Sequence, residues 1–313
     1  MRQSLIHEAR ELPATARGDV LCIGNFDGVH AGHTRMLTEG RRLAAEAKAP
    51  FLIMTFDPHP MSILKPSIRR PPLMTLEQRI HALSAFSPAV VWVVSTTREF
   101  LSISAEEFMQ KTLHDLLQVV HVVEGSSFTF GRGALGDVHM LRKTGEQLGW
   151  KTTVIETTQA TLTDMTQVDV STTLIRWLIS HGRMADAARM LGRPYTLRGN
   201  VIHGAKRGQE LGYPTVNLDV VQLMPGDGVY AGRAVVDSQE YPAAISVGTN
   251  PTFDGSGHSV EAFLLDYQGD ELYGRMIDLE FHHWIRDQER FSGVDALRDR
   301  IGRDVELVRD GAA

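Results

Sequence analysis

Cysteine is almost missing from this chain. Cys22 is the one thiol in 313 residues, which excludes an internal disulfide and fits a reducing compartment. It stands inside the apolar run Val20-Leu21-Cys22-Ile23, the setting of a buried, inert thiol. An excess of positive charge is missing too. The formal net charge is −6, which excludes a general affinity for nucleic acid. No apolar run is long enough to span a membrane, and Met1-Arg2-Gln3-Ser4 leads into no signal-peptide apolar core. A cytoplasmic protein without a membrane partner is expected. There is no internal repeat and no low-complexity tract. What remains is an ordinary globular composition, 42% hydrophobic and 22% charged, in a chain long enough for two cores.

The first part alternates apolar runs with helical spacing. The runs lie at 20–23, 51–55, 90–94, 119–123 and 152–155. They are nearly continuous in apolar residues, as strands buried on both faces should be. Between them Met36, Gly40, Leu43, Ala44 and Ala47 recur at helical spacing; 105–117 and the segment around Leu141 read the same way. Alternating strands and helices imply an α/β domain with a parallel sheet and right-handed crossovers, with ligands at the carboxyl ends of the strands. Near Arg193-Pro194-Tyr195 the character changes. Short strands at 196–201, 228–236, 243–247, 260–267 and 276–281 predict a small antiparallel β-barrel. A C-terminal helix follows, with Leu297, Ile301, Val305 and Val308 on its inner face and Ser292 and Asp295 spaced as a capping box. Two domains are expected, residues 1–187 and 188–313. They are unlike each other, which argues for two activities rather than a duplication.

Gly24-Asn25-Phe26-Asp27-Gly28-Val29-His30-Ala31-Gly32-His33 follows the first of these strands and opens a helix. Backbone N–H groups, two imidazoles and a helix N-terminus then face one anion, for which a nucleoside triphosphate is the natural choice. The turn holds no nucleophile, so the chemistry expected is attack at phosphorus without a covalent enzyme intermediate. Preorganised donors facing the developing charge are the largest catalytic term in such a reaction. His30 and His33 can supply ring N–H donors, and Gly32 removes a side chain where phosphate must approach. Two histidines flanking a helix start for structural reasons is the plainer alternative. Val170-Ser171-Thr172-Thr173-Leu174-Ile175-Arg176 adds hydroxyls at a helix start and a guanidinium one turn on; Ser171 by itself reads best as the helix cap. Thr55-Phe56-Asp57-Pro58-His59-Pro60 could shape an acceptor pocket, or be a rigid loop.

In the second part Gly204, Gly208 and Gly212 surround Arg207-Gly208-Gln209-Glu210-Leu211-Gly212-Tyr213-Pro214-Thr215-Val216-Asn217. This is no Walker A loop, which needs Gly-Lys-Ser/Thr. The glycines would let backbone approach phosphates closely. Thr215 and Asn217 are two apart on a strand and share a face, with Val216 and Leu218 on the other. Two neutral oxygens suit Mg²⁺ that is otherwise held by water and ATP phosphates; polar residues on an ordinary turn and strand are the alternative.

Together these motifs closely resemble the prokaryotic bifunctional riboflavin kinase/FMN adenylyltransferase (FAD synthetase) family, in its order, from about Gly18 to the C-terminal helix. The resemblance implies a Rossmann-like FMN adenylyltransferase domain followed by a riboflavin kinase barrel. Riboflavin, FMN and ATP would be substrates, FAD the final product and Mg²⁺ the metal. It implies that Asn25, His30, His33 and Arg176 handle ATP phosphates and that Glu261 is the kinase base. It implies that Gly24, Phe26, Asp27, Gly32, His59, Ser127, Ser171, Thr172, Gly204, Arg207, Gly208 and Gly212 bind nucleotide or flavin. Arg286 and Phe291 match a segment near the flavin, for which surface charge and core packing are the alternatives. Gly248-Thr249-Asn250-Pro251-Thr252-Phe253 is a further match with no chemistry assigned. Three departures stand out: Ser127 where the family usually has Asp or Asn, Arg79 where it more often has Lys, and Phe263 where it often has His or Tyr. A chain that runs the kinase step alone, and a flavin- or nucleotide-binding protein without turnover, are the rival readings.

Overall fold

The computed structural model describes residues 4–6, 12–13, 16–68, 70–204, 207–248 and 258–311. The chain divides into two compact units. Met1–Arg70 with Leu76–Gln159 makes the first, and Pro71–Thr75 with Ala160–Ala313 the second.

The first unit runs β1 (Ser4–Ile6), β2 (Val20–Ile23), α1 (Ala31–Ala47), β3 (Phe51–Asp57), α2 (Pro60–Leu64), α3 (Leu76–Ser84) and β4 (Val90–Ser95). Then come α4 (Arg98–Leu101), α5 (Ala105–Glu107), a π-helical stretch Phe108–Leu116, β5 (His121–Gly125), the short pair β6 (Thr129–Phe130) and β7 (Gly136–Asp137), α6 (Val138–Leu148) and β8 (Lys151–Ile155). The sheet order is β1-β4-β3-β2-β5-β8, and every pairing is parallel. The expected α/β layering is therefore present.

Four details differ from the sequence reading. β1 carries too few residues to show a pattern, and its pairing with β4 reveals it. The fourth run begins two residues late, because Val119 N–H closes back onto Leu113 and the Val120 N–H goes to the Asp19 carbonyl. β8 is not buried on both faces: Lys151 is exposed and the rest half-buried, since β8 has a sheet neighbour on one side only. On α1 the buried residues are Met36, Leu37, Gly40 and Ala44, while Ala47 is exposed. Gly40 is the tight point of that contact. A Cβ there would lie 2.7 Å from Cys22 Sγ and 2.8 Å from the Phe51 ring, so the missing side chain lets α1 settle on β2 and β3. Cys22 is fully buried, and burial pushes its thiol well above the ordinary range, as an inert core thiol requires.

A short pair, β9 (Gln159–Thr161) and β10 (Gln167–Asp169), follows β8. The second unit then has α7 (Thr172–Ser180), α8 (Met184–Leu191), β11 (Tyr195–Ile202), α9 (Arg207–Glu210), β12 (Thr215–Asp219), β13 (Gly228–Val236), β14 (Gln239–Gly248), β15 (Ser259–Leu264), β16 (Met276–Arg286) and α10 (Val294–Arg309). The six strands close in the order β11-β12-β15-β14-β13-β16, all antiparallel. Closure leaves no sheet edge exposed and needs bends. One lies at Ala231/Gly232, where the β13–β16 register shifts; a Cβ at Gly232 would sit 2.0 Å from the Glu280 carbonyl oxygen.

On α10, Leu297, Ile301 and Val305 are half-buried and Val308 is buried. The expected capping box does not form. The N-cap is Gly293, and no side chain caps this end. The helix starts one residue too late for Ser292 to be the cap, so Asp295 is its second residue rather than its third.

Candidate functional site

The turn after β2 is built around His30. This residue is the N-cap of α1, and its Nδ1 accepts the His33 backbone N–H at 3.3 Å. Nδ1 is thereby unprotonated, and in the neutral ring Nε2 carries the proton. The two imidazoles stack with centroids 3.6 Å apart and planes 16° from parallel. Burial, then the neighbouring His30, holds His33 well below the usual histidine range, so its ring is neutral at pH 7. Its Nδ1 is buried without a hydrogen-bond partner among the described residues, as is Asn25 Oδ1.

The glycines and Phe26 support this pair. A Cβ on Gly32 would lie 3.2 Å from His30 Cε1, so Gly32 makes room for the imidazole itself. Gly24 does the same for the Phe26 ring, which would be 3.1 Å from its Cβ. Phe26 is fully buried and meets the His33 ring edge-on at 5.2 Å. Its ring therefore acts through His33 and offers no face to a ligand. Asp27 is buried. His59 caps α2, its Nδ1 accepting the Met61 N–H at 3.1 Å. Ser127 is exposed in the turn after β5.

Arg79 joins these loops. One guanidinium nitrogen donates to the Asn25 carbonyl at 2.9 Å and the other to Asp57 Oδ1 at 3.3 Å. The Thr55 hydroxyl donates to that same Asn25 carbonyl at 3.3 Å.

Ser171, Thr172 and Arg176 lie on the second unit. Ser171 Oγ caps α7 by accepting the Leu174 N–H at 3.2 Å. Arg176 is half-buried and donates to the Pro71 carbonyl at 2.6 Å.

In the barrel, Asn217 stands directly opposite Glu261 and Thr215 opposite Phe263. Glu261 in turn faces Ser246. Opposed residues of antiparallel strands share a face, so Thr215, Asn217 and Glu261 are on one side of the sheet while Leu218 is buried on the other. The Ser259 hydroxyl lies 3.5 Å from Glu261 Oε1. Glycines close the cradle. A Cβ on Gly204 would fall 2.1 Å from Asn217 Nδ2, and one on Gly208 would fall 3.1 Å from Thr215 Oγ1. They admit the side chains of Asn217 and Thr215 rather than leaving bare backbone for phosphate. Gly212 has φ +85°, the left-handed region that favours glycine. The Arg207 side chain and residues 249–253 lie outside the described residues.

Arg286 is no surface charge. It is 8% exposed, and its Nε and one Nη donate to Asp304 Oδ2 at 2.9 and 2.8 Å. Its other Nη donates to the Asp287 carbonyl at 2.9 Å. Phe291 lies 5.7 Å from the guanidinium carbon.

A family model described as FAD synthetase matches residues 12–173, and one described as riboflavin kinase matches residues 191–311. A relative from Pseudomonas fluorescens, a bifunctional riboflavin kinase/FMN adenylyltransferase, is 32% identical over 99% of this chain and 98% of its own. The chain belongs to the bifunctional riboflavin kinase/FMN adenylyltransferase family. Members from Escherichia coli strain K12 and Bacillus subtilis are each 32% identical, over 97% and 91% of this chain and 96% and 90% of theirs. A solved structure from Streptococcus pneumoniae described as a macrolide-efflux protein shares the fold, with 27% identity, 98% coverage of each chain and a TM-score of 0.84. Among the described residues no helix is long and apolar enough to cross a membrane.

Three residues near these sites escaped the motif reading of this family member. Glu124 is buried at the end of β5, and its Oε1 accepts the Ile23 N–H at 2.7 Å. Burial pushes its carboxyl well above the usual range. An acid at the end of a Val-Val strand was its signal. Asp304 sits inside the apolar stripe of α10, three residues after Ile301 and four before Val308. Thr158 belongs to no motif, and only its place beyond the carboxyl end of β8 could have marked it.

Proposed function

We propose that this protein makes FMN and then FAD from riboflavin and ATP, the barrel running the first step and the parallel-sheet unit the second. The functional division proposed is residues 188–313 for the kinase and 1–187 for the adenylyltransferase; it differs from the compact units, which group Pro71–Thr75 and residues 160–187 with the barrel. One observation carries the reading: each unit has its own polar site of different chemistry, stacked imidazoles at the start of α1 in one and an in-register Asn217–Glu261 pair in the other.

In the kinase step the riboflavin 5′-hydroxyl attacks the γ-phosphorus of ATP. Glu261 takes the hydroxyl proton, and ADP leaves. Thr215 and Asn217 fit Mg²⁺: they are neutral oxygen ligands on one face, beside glycines that make room for these two side chains. When bound, Mg²⁺ neutralises charge on the phosphates.

In the second step a phosphate oxygen of FMN attacks the α-phosphorus of ATP and pyrophosphate leaves. His30 and His33 act as donors to the charge that builds on the phosphates, His33 as a neutral ring. Losing one such donor costs about 3–4 kcal/mol of barrier. A neutral His33 suits this role, because it donates without placing a cation in the buried turn. The substrates and the single buried thiol suit a cytoplasmic enzyme.

Incubation with riboflavin, ATP and Mg²⁺ should give FMN and then FAD on a chromatogram. His30→Ala should stop FAD formation and spare FMN formation. Glu261→Ala should stop FMN formation and spare FAD formation from supplied FMN. FMN without FAD from the unaltered chain would favour the kinase-only reading; no product would remove both.

A further inference from the structure

Thr158 follows β8 in the first unit. Its Oγ1 is buried and has no hydrogen-bond partner among the described residues. A buried hydroxyl left unsatisfied is rare and costly in a folded protein. Two residues before it, the Glu156 carbonyl lies 3.5 Å from the exposed Arg35 guanidinium on α1. The hydroxyl lies at the His30–Gly32 turn: a Cβ built on Gly32 would be 3.9 Å from Thr158 Oγ1 and 3.2 Å from His30 Cε1. His33 Nδ1 and Asn25 Oδ1, on this same turn, are also buried without partners among the described residues. Of the buried side-chain polar atoms without partners among the described residues, these three lie together at the N-terminus of α1, beyond the carboxyl ends of β2 and β8.

We infer that Thr158 is a further ligand residue of this turn, its hydroxyl donating to a phosphate oxygen of the nucleotide. The inference rests on the adenylyltransferase reading of the first unit. A hydroxyl can turn its proton toward an anion without adding charge to the buried site. With nucleotide bound, the hydroxyl gains the partner it lacks without it. The unpartnered state without ligand is the cost of holding a donor ready.

The test compares Thr158→Val, which keeps the shape and removes the hydroxyl, with Thr158→Ser, which keeps the hydroxyl. Thr158→Val should raise the KM for ATP in FMN adenylylation about tenfold, as expected for losing one hydrogen bond to a charged group. It should leave the ATP KM of the riboflavin kinase reaction unchanged. The melting temperature of the first unit without ligand should stay level or rise, because an unsatisfied group has been removed. The rise in melting temperature produced by inorganic pyrophosphate should shrink. Thr158→Ser should behave as the unaltered chain. A wild-type ATP KM in Thr158→Val would overturn the inference. So would a lower ligand-free melting temperature, which would make the hydroxyl a support of the fold, and so would an unchanged pyrophosphate shift. His30→Ala run alongside separates the two levels. Full FAD formation in that variant would overturn the adenylyltransferase reading, while the pyrophosphate shift still reads Thr158 directly.

Discussion

Arg79 illustrates how much one side chain can decide. It is 7% exposed, and it reaches the Asn25 carbonyl with one arm and the Asp57 carboxylate with the other. Burial lowers its pKa from the usual guanidinium value, against the pull of Asp57 and Asp27. A lysine ammonium has no planar fork and cannot span both acceptors in this geometry. Arg79→Lys should therefore lower kcat/KM for FAD formation about tenfold, the effect of one lost bond to a charged group. The kinase activity of the same sample should not change. Equal FAD formation would show that the second arm is dispensable. The sequence marks Arg79 as a departure from the family but not what it joins. The glycines teach the same lesson. Gly32, Gly204 and Gly208 were legible as close-approach positions. Which group approaches was not, because His30, Asn217 and Thr215 fill the space and only the folded chain brings them there.

Among elements, α10 and β16 are tied by Arg286 and Asp304. Both are nearly buried, and the guanidinium reaches both carboxylate oxygens, Oδ1 at 3.2 Å and Oδ2 at 2.8 Å. Removing one partner leaves a buried charge alone. Asp304→Ala should cost the second unit about 3–5 kcal/mol, read as loss of thermal stability with kinase activity lost at lower temperature. Arg286→Met with Asp304→Leu should recover most of that loss, because the buried guanidinium leaves together with its carboxylate, and Arg300, which also pairs with Asp304 at 3.6 Å, keeps Glu289 at 3.8 Å. A single variant as stable as the unaltered chain would remove the ion pair from the account. Apolar periodicity predicted the inner face of α10, yet it passes over an acid inside the stripe, since burial of a charge depends on a partner far away in sequence. The caps divide the same way. Ser171 closes α7 by a local bond, as its spacing predicts. Ser292 does not close α10, because Gly293 takes that position.

At the scale of the whole molecule, the segment Pro71–Thr75 belongs to the second unit although it precedes most of the first. Leu73 is 1% exposed. Gln222 Nε2 donates to its carbonyl at 3.2 Å, and the Leu223 N–H donates to the Pro72 carbonyl at 2.8 Å. Leu73→Ala should therefore destabilise the second unit by about 2–5 kcal/mol. The measurement is thermal inactivation of riboflavin kinase, with FAD formation from supplied FMN as the companion readout. Loss confined to FAD formation would overturn the grouping.

Strand and helix periods, turn glycines and cap residues act over a few neighbours. From them the sequence alone determined a parallel α/β unit followed by a barrel, and the two motif sets that resemble the flavin enzymes. The bend at Gly232, the edge position of β8, the union of Arg79 with two loops, the burial of Asp304 and the place of Thr158 were decided by tertiary structure. Each depends on groups brought together from distant parts of the chain, and a local pattern carries no record of such a meeting.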